Sequence, residues 1–336
     1  MWYLGIDLHR LTVVIAGVND SGEAMNAITI RCEDTDAIRQ AVQKLGTFRA
    51  VIEASGTYRW LYDLLRPYGS VVLAHPLRLR AMIQRRSKTD KLDAQLLANL
   101  LRINQIPLAY IPPEPYQQLR DLTRTRARLV QEQARAKIKL HAVLARQNRQ
   151  APYRKPFGKR GLAWFGKQDF GPIENLVRDE LVLRLEHYRK QLAILEERMT
   201  DLRAAFPQVE TLMELYGIGL YSALLIVGEL GEVERFHSAK QVAAYAGLTA
   251  RVNQSGGHCY RGSITRQGSP WLRWILVEAA MKVVREDAAL KNFYTRVRKR
   301  SSAKIARVAA ARKLAEICWK RLRRWQRENV PSAAPA

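Results

Sequence analysis

Cysteine, histidine and acidic residues are all in short supply in this 336-residue sequence, and each shortage excludes something. The three cysteines, Cys32, Cys259 and Cys318, are scattered and show no zinc-ligand spacing, so a reducing cytoplasm fits them. The six histidines form no HxxxH or HxH pair, which argues against a zinc site. No run approaches the roughly 20 apolar residues of a membrane span. The first ten residues, MWYLGIDLHR, lack a basic segment followed by an apolar stretch, so no signal peptide is expected. A Walker-type GxxxxGK[ST] is also missing, so chemistry that draws on ATP is not expected. The scarcity of acid is the most informative. Lys and Arg number 56 against 31 Asp and Glu, a formal charge of +25. Such an excess calls for a polyanionic partner, and nucleic acid is the usual one. A membrane surface fits less well, because no terminal segment combines a basic face with a long apolar one.

Apolar residues are plentiful at 47%, enough for real cores, and the length suits two or three domains. Residues 2–8 (WYLGIDL), 11–18 and 23–30 read as three strands in succession, the last two joined by an NDSG turn. A helix over 34–45, a strand over 48–54 (FRAVIEA), a helix over 56–69, a strand over 70–74 and an amphipathic helix over 90–102 follow. This is the element order of a ribonuclease H-like fold, placed in a domain over residues 1–110. Residues 111–205 are expected to be a helical middle region. A long arginine-rich helix runs over 116–149, a basic and glycine-rich loop over 150–172, and a returning helix over 173–204. The pair reads as a coiled-coil arm or as two ordinary packed helices. Residues 206–330 are expected to form a mostly helical domain. In it LYGIGLYSALLIVGELG suggests a helix-hairpin-helix, in which Gly217 and Gly219 let backbone N–H groups reach a phosphate. A simple tight turn between packed helices is the competing reading.

Four acids stand out. Asp7 lies inside the first apolar strand, Glu53 ends the fourth, and Asp90 and Asp93 open a helix on one face. In the fold expected, the first and fourth strands are neighbours and that helix packs across them, so the four could converge. Converging carboxylates repel one another unless a cation neutralises them. Oxygen ligands with no nearby histidine favour Mg²⁺ or Mn²⁺, and two such ions form the usual clamp for phosphodiester chemistry. Far along the chain, GLTARVNQSGGHCYRG carries Ser255 before Gly256 and Gly257. Read locally this is a loop serine making hydrogen bonds. The glycines would allow close approach of backbone to a phosphate, with Arg251, Arg261 and Arg266 as candidates to clamp it.

The segments GIDLHR, VIEASGTY, KTDKLDAQLLA, LYGIG, FHSAKQVAAYAGLTA, QSGG and ARKLAEICW stand in this order. In that combination the sequence resembles, over nearly its whole length, the DEDD insertion-sequence transposases of group one-ten, with a RuvC-like N-terminal domain and a C-terminal serine domain. The resemblance implies that Asp7, Glu53, Asp90 and Asp93 bind metal and that Ser255 is the DNA nucleophile. It implies a recombinase that excises and inserts its element through a phosphoserine intermediate, guided by a structured noncoding RNA. It also implies dimers assembling to tetramers on DNA, in the nucleoid-associated cytoplasm of a bacterium. One departure is local: many relatives carry Pro-Arg after the GLT segment, where this chain has Ala250-Arg251. Two other readings compete. One is a RuvC-like junction nuclease in which water attacks and Ser255 is structural. The other is a non-catalytic nucleic-acid-binding scaffold, which the presence of all four acids disfavours.

Overall fold

The computed structural model describes residues 1–82, 89–255 and 258–329, which divide into two compact units, Met1–Ile111 and Pro112–Ala336. In the first, strands β1 (Trp2–Leu8), β2 (Thr12–Asn19) and β3 (Ala24–Arg31) meander. Helix α1 (Thr35–Gln43), strand β4 (Phe48–Glu53), helix α2 (Arg59–Leu65) and strand β5 (Ser70–Ala74) follow, then helices α3 (Pro76–Met82) and α4 (Asp90–Arg102) and the two-residue strand β6 (Leu108–Ala109). The sheet order is β3-β2-β1-β4-β5-β6. β1 pairs antiparallel with β2 and parallel with β4, and β4 pairs parallel with β5. This mixed sheet is consistent with the expected ribonuclease H-like (RuvC-like) fold. β6 and α3 are additions to the sequence reading.

β1 is central, and its middle residues Leu4, Gly5 and Ile6 are buried. Gly5 is the reason α4 can lie on the strand: a Cβ there would overlap Ala94 O and stand 2.5 Å from Ala98 N. The buried residues of α4, Ala94, Leu97, Ala98 and Leu101, recur at i, i+3, i+4 and i+7, so small side chains face the strand and leucines fill the flanks. α4 packs across β1, β2 and β4.

The second unit is mostly helical. Two long helices, α5 (Glu114–Arg146) and α7 (Pro172–Asp201), run antiparallel, as pairing of Arg126 with Glu196 and of Gln147 with the Phe170 carbonyl shows. Between them the stretch read as a loop contains a short helix, α6 (Lys159–Gly166), whose Leu162 and Phe165 join Leu140, Leu144, Leu181 and Leu185 in one apolar cluster. The segment looks loop-like in composition because prolines and glycines flank and interrupt this short helix, which is held by the apolar contact. A larger core gathers α8 (Val209–Met213), α9 (Leu220–Leu230), a 3-10 turn at Val233–Arg235, α10 (Ala239–Tyr245) and three C-terminal helices, α11 (Pro270–Glu286), α12 (Ala288–Arg300) and α13 (Ala303–Asn329). Strands β7 (Ala250–Ser255) and β8 (His258–Ile264) form an antiparallel hairpin inserted between α10 and α11. Ser255 therefore lies at a strand end, whereas composition suggested an unstructured loop.

Candidate active site

Asp7 and Glu53 occupy the C-terminal ends of adjacent parallel strands, one position beyond the paired residues Ile6 and Ile52. Ligand sites of α/β sheets gather at such ends, where the strands stop and the flanking loops leave a crevice. Asp90 and Asp93 arrive from above on the first turn of α4, which Thr89 caps by accepting a hydrogen bond from Leu92 N at 3.3 Å. The partial positive charge of a helix N-terminus tolerates two acids there.

A histidine completes the cluster. His9 Nε2 lies 3.1 Å from Asp7 Oδ2 and 3.2 Å from Asp90 Oδ2. Ligand atoms of Asp7, His9 and Asp90 all fall within 4.8 Å of one another. The expectation of an oxygen-only set with no histidine nearby is thus corrected. Its sequence signal was available: His9 follows Asp7 by two residues at the end of a strand, and that spacing returns a side chain to the same face. The set fits a divalent cation by its donor chemistry. Burial pushes the Asp7 carboxyl above its ordinary pKa; His9 works against this, and the charges of Asp90 and Asp93 add to it. Such a site favours a bound cation. Asp93 thus acts electrostatically on Asp7, while Glu53 is placed by strand register.

The second group of candidate residues is carried by the hairpin of the helical unit. The base of the hairpin is clamped. Thr265 N donates to Thr249 O at 2.8 Å and Ser269 N to Tyr245 O at 3.0 Å. Arg273 Nη1 donates to the carbonyls of Ala246 at 3.1 Å and Arg266 at 3.3 Å. Gly268 has φ +131 and presses on the Tyr245 carbonyl, a conformation and an approach that only glycine allows. Arg251 and Arg266 are exposed, and exposed Val252 and Tyr260 stand beside them on the two strands. Burial, and after it the charge of Arg266, lowers the Arg273 guanidinium pKa. Gly256, Gly257 and the side chains of Ser255 and Arg261 lie outside the described residues.

Gly217, at φ +83, and Gly219 form the turn between α8 and α9. Gly217 packs on the Lys282 side chain, and Gly219 is the N-cap of α9 with open space where a Cβ would stand.

Sequence reasoning missed the support of this region. Glu229, only 1% exposed, takes two hydrogen bonds from Arg124 at 2.7 and 3.0 Å and one from Ser269 Oγ at 2.7 Å. Ser269 in turn caps α11 by accepting from Leu272 N. Arg120, also buried, donates to the Gly228 and Glu229 carbonyls. One acid in an apolar helix thereby ties α5 to the start of α11, next to the foot of the hairpin.

Comparison with known proteins decides the family. Residues 4–148 match a transposase family of the DEDD insertion-sequence type, and residues 209–295 match the description "Transposase IS116/IS110/IS902 family". The chain belongs to the IS116/IS110/IS902 family of transposases. It is similar to the Sinorhizobium fredii protein y4qE, named as a transposase, at 26% identity over 95% of this chain and 78% of the relative. It is also similar to the "Probable family 20 transposase" of Pseudomonas aeruginosa, at 26% over 96% of both chains. The transposase for insertion sequence element IS1111A of Coxiella burnetii is 23% identical over 96% of this chain and 89% of the relative. The transposase is thus a DNA strand-transfer enzyme whose DEDD domain implies a divalent cation. No described helix is long and apolar enough to cross a membrane.

Proposed function

We propose that this transposase is an RNA-guided recombinase of its insertion sequence, with Ser255 as the nucleophile and Asp7, Glu53, Asp90 and Asp93 as holders of Mg²⁺ or Mn²⁺. The observation that carries the reading is the Gly5 contact, which sets the acidic first turn of α4 over the strand end that bears Asp7. Asp7, Glu53, Asp90 and Asp93 would hold the cation, whose charge would polarise the scissile phosphate and stabilise the leaving oxygen. A serine hydroxyl is a weak nucleophile near neutral pH and needs such activation. Attack by Ser255 Oγ on phosphorus forms a phosphoserine ester and breaks the bond to the 3′ oxygen, which leaves as a hydroxyl after taking up the serine proton. Attack by a 3′-hydroxyl on that ester reverses the exchange, so strands are rejoined without ATP. The clamp at Thr265, Ser269 and Arg273 holds the hairpin for this task, and Arg251, Arg261 and Arg266 bind the phosphate. The turn at Gly217 and Gly219 serves as a helix-hairpin-helix against the DNA backbone.

The long helices and the basic surface hold a structured guide RNA, read through shape and backbone contacts. Exposed Ile138, Ile173, Leu176, Leu183 and Ile194 on α5 and α7 support a coiled-coil contact between copies, giving a dimer that assembles to a tetramer. The enzyme works on DNA in a bacterial cytoplasm. The test is cleavage of element-junction DNA in the presence of the element's RNA and Mg²⁺. The variants Asp7→Asn, Glu53→Gln, Asp90→Asn and Asp93→Asn are each expected to lose about 100-fold or more in rate, the scale of removing one preorganised electrostatic group. Full activity in any of them removes that acid from the site, and full activity without RNA removes the guide.

A further inference from the structure

At the far end of the α5–α7 arm, the chain between the two helices builds a cup. α5 ends at Arg146, and Asn148 turns the backbone through φ +49, a left-handed conformation that asparagine tolerates. The connecting segment is fastened by arginines to its own carbonyls: Arg189 to Phe157 O, buried Arg178 to Gln168 O, and Arg149 Nη1 to Asp169 O at 2.9 Å. Phe157 stacks on buried Phe165 and meets His141 edge-on at 4.8 Å between centroids. The wall is therefore a held scaffold. It encloses a cavity of about 810 Å³ whose lining includes His141, Asn148, Arg149, Tyr153, Arg154 and Pro156.

The charge around this cup is mostly positive, with exposed Asp169 beside Arg149 as an acid at its edge. From Lys139 to Gln168 the sequence holds eight lysines and arginines and no acid. Among the described residues, Arg154, Lys155, Lys159 and Arg160 are exposed and have no carboxylate partner. The acids of the adjoining face of α7 are engaged locally, Asp179 by Arg178 and Glu180 by Arg184. Tyr153 is 39% exposed at the rim, between Arg149 and Arg154. Unpaired cations with an accessible aromatic ring in a concave site are what a single strand needs: phosphates for the cations and a base face for the ring. A duplex offers phosphates only, since its base faces are stacked, whereas a loop or strand end can turn a base into a cup of this size.

We propose that the cup at the tip of the arm binds a single-stranded stretch of nucleic acid, its phosphates on Arg149 and Arg154 and an unpaired base against Tyr153. The inference rests on the transposase reading only in that nucleic acid is the partner; it needs neither the Ser255 chemistry nor a bound cation. RNA and DNA strands share the required chemistry, and the experiment separates them. Full-length protein in chelator is mixed with a labelled mixed-sequence 12-mer of single-stranded RNA, the same strand as DNA, or the DNA duplex, and irradiated. Crosslinked nucleotide is mapped by mass spectrometry. Trypsin releases residues 150–154 as one peptide with Tyr153 inside it. Crosslinks are expected on that peptide with a single strand and not with the duplex. The stronger of the RNA and DNA signals names the natural source.

Tyr153→Ala is expected to weaken the single-strand affinity about 5- to 150-fold, which is the stacking contribution of one base. Arg154→Gln should lower the slope of log affinity against log salt by about 0.7. Both residues are exposed, so an unchanged melting temperature verifies the fold of each variant. Crosslinks confined to other peptides, or equal crosslinking of duplex, overturn the proposal. If the wild-type protein still binds element DNA in that case, the transposase reading stands without it.

Discussion

His9 Nε2 stands 3.2 Å from Asp90 Oδ2, so a ring at the end of β1 reaches the first residue of α4. The same nitrogen is 3.1 Å from Asp7 Oδ2. The ring thus sits among the acids that the DEDD pattern names, although the pattern does not include it. Imidazole is a better ligand for Mn²⁺ and later transition metals than for Mg²⁺. His9→Ala is therefore expected to lower Mn²⁺ affinity about 10-fold, the lower end of the effect of such partners, and Mg²⁺ affinity by less. Titration calorimetry with each metal checks this. Unchanged Mn²⁺ affinity would show that the ring merely neighbours the site.

Burial makes ionised Asp7 costly, and the charges of Asp90 and Asp93 add to the cost. In chelator at pH 7, Asp7→Asn should raise the melting temperature. A divalent cation at about 100 times its Kd should stabilise the wild type by about 2.7 kcal/mol and the variant by much less. Differential scanning calorimetry reads both effects. A variant that melts lower in chelator and responds fully to metal would contradict the placement of the cation at Asp7.

The Glu229 network should show its weight in denaturant. Arg124→Ala leaves a carboxylate that is 1% exposed without its bidentate partner, at a cost of about 3 kcal/mol. Ser269→Ala removes one hydrogen bond and the cap of α11, about 1 kcal/mol. Because the two share Glu229, the double variant should not equal the sum. Urea unfolding of the three proteins measures this. An Arg124→Ala change below about 0.5 kcal/mol would refute a structural role for the pair.

Burial pushes the Cys318 thiol up to about 12. The thiolate is the reactive form, so Cys318 should resist iodoacetamide at pH 8 in the folded protein and react once urea unfolds it. The linkage has a definite sign. Below the unfolded thiol value both states are protonated and stability is unaffected; as pH rises from there toward about 12, only the unfolded state ionises and stability falls. Peptide mapping of alkylated protein follows the first effect and unfolding at pH 8 and pH 10 the second. Rapid native alkylation of Cys318 would place it at the surface.

The first unit was legible because its elements are simple. Alternating and apolar strands, an Asn-Asp-Ser-Gly turn and a capped helix each signal locally, whereas the close approach at Gly5 shows only in the structure. What stayed hidden depends on contacts distant in sequence. His9 gains its meaning from Asp90, 81 residues on. Helix α6 is held by Phe165 against the arm, inside a stretch whose glycines and basic residues read as loop. The β7–β8 hairpin looks loop-like because its apolar residues Val252 and Tyr260 are exposed and do not mark a buried face. Glu229 sits within ALLIVGEL, where its partner Arg124 is 105 residues away.

On the proposed reading, Ser255 takes the DNA strand onto itself while the acids of the first unit hold the cation. The step is tested by incubating the protein with Mg²⁺, the element's RNA and end-labelled junction DNA, then resolving the products in detergent. Labelled DNA should migrate with protein, as a protease-sensitive adduct that disappears in both Ser255→Ala and Asp7→Ala. Cleaved DNA with no adduct, at an undiminished rate in Ser255→Ala, would contradict it and make water the nucleophile.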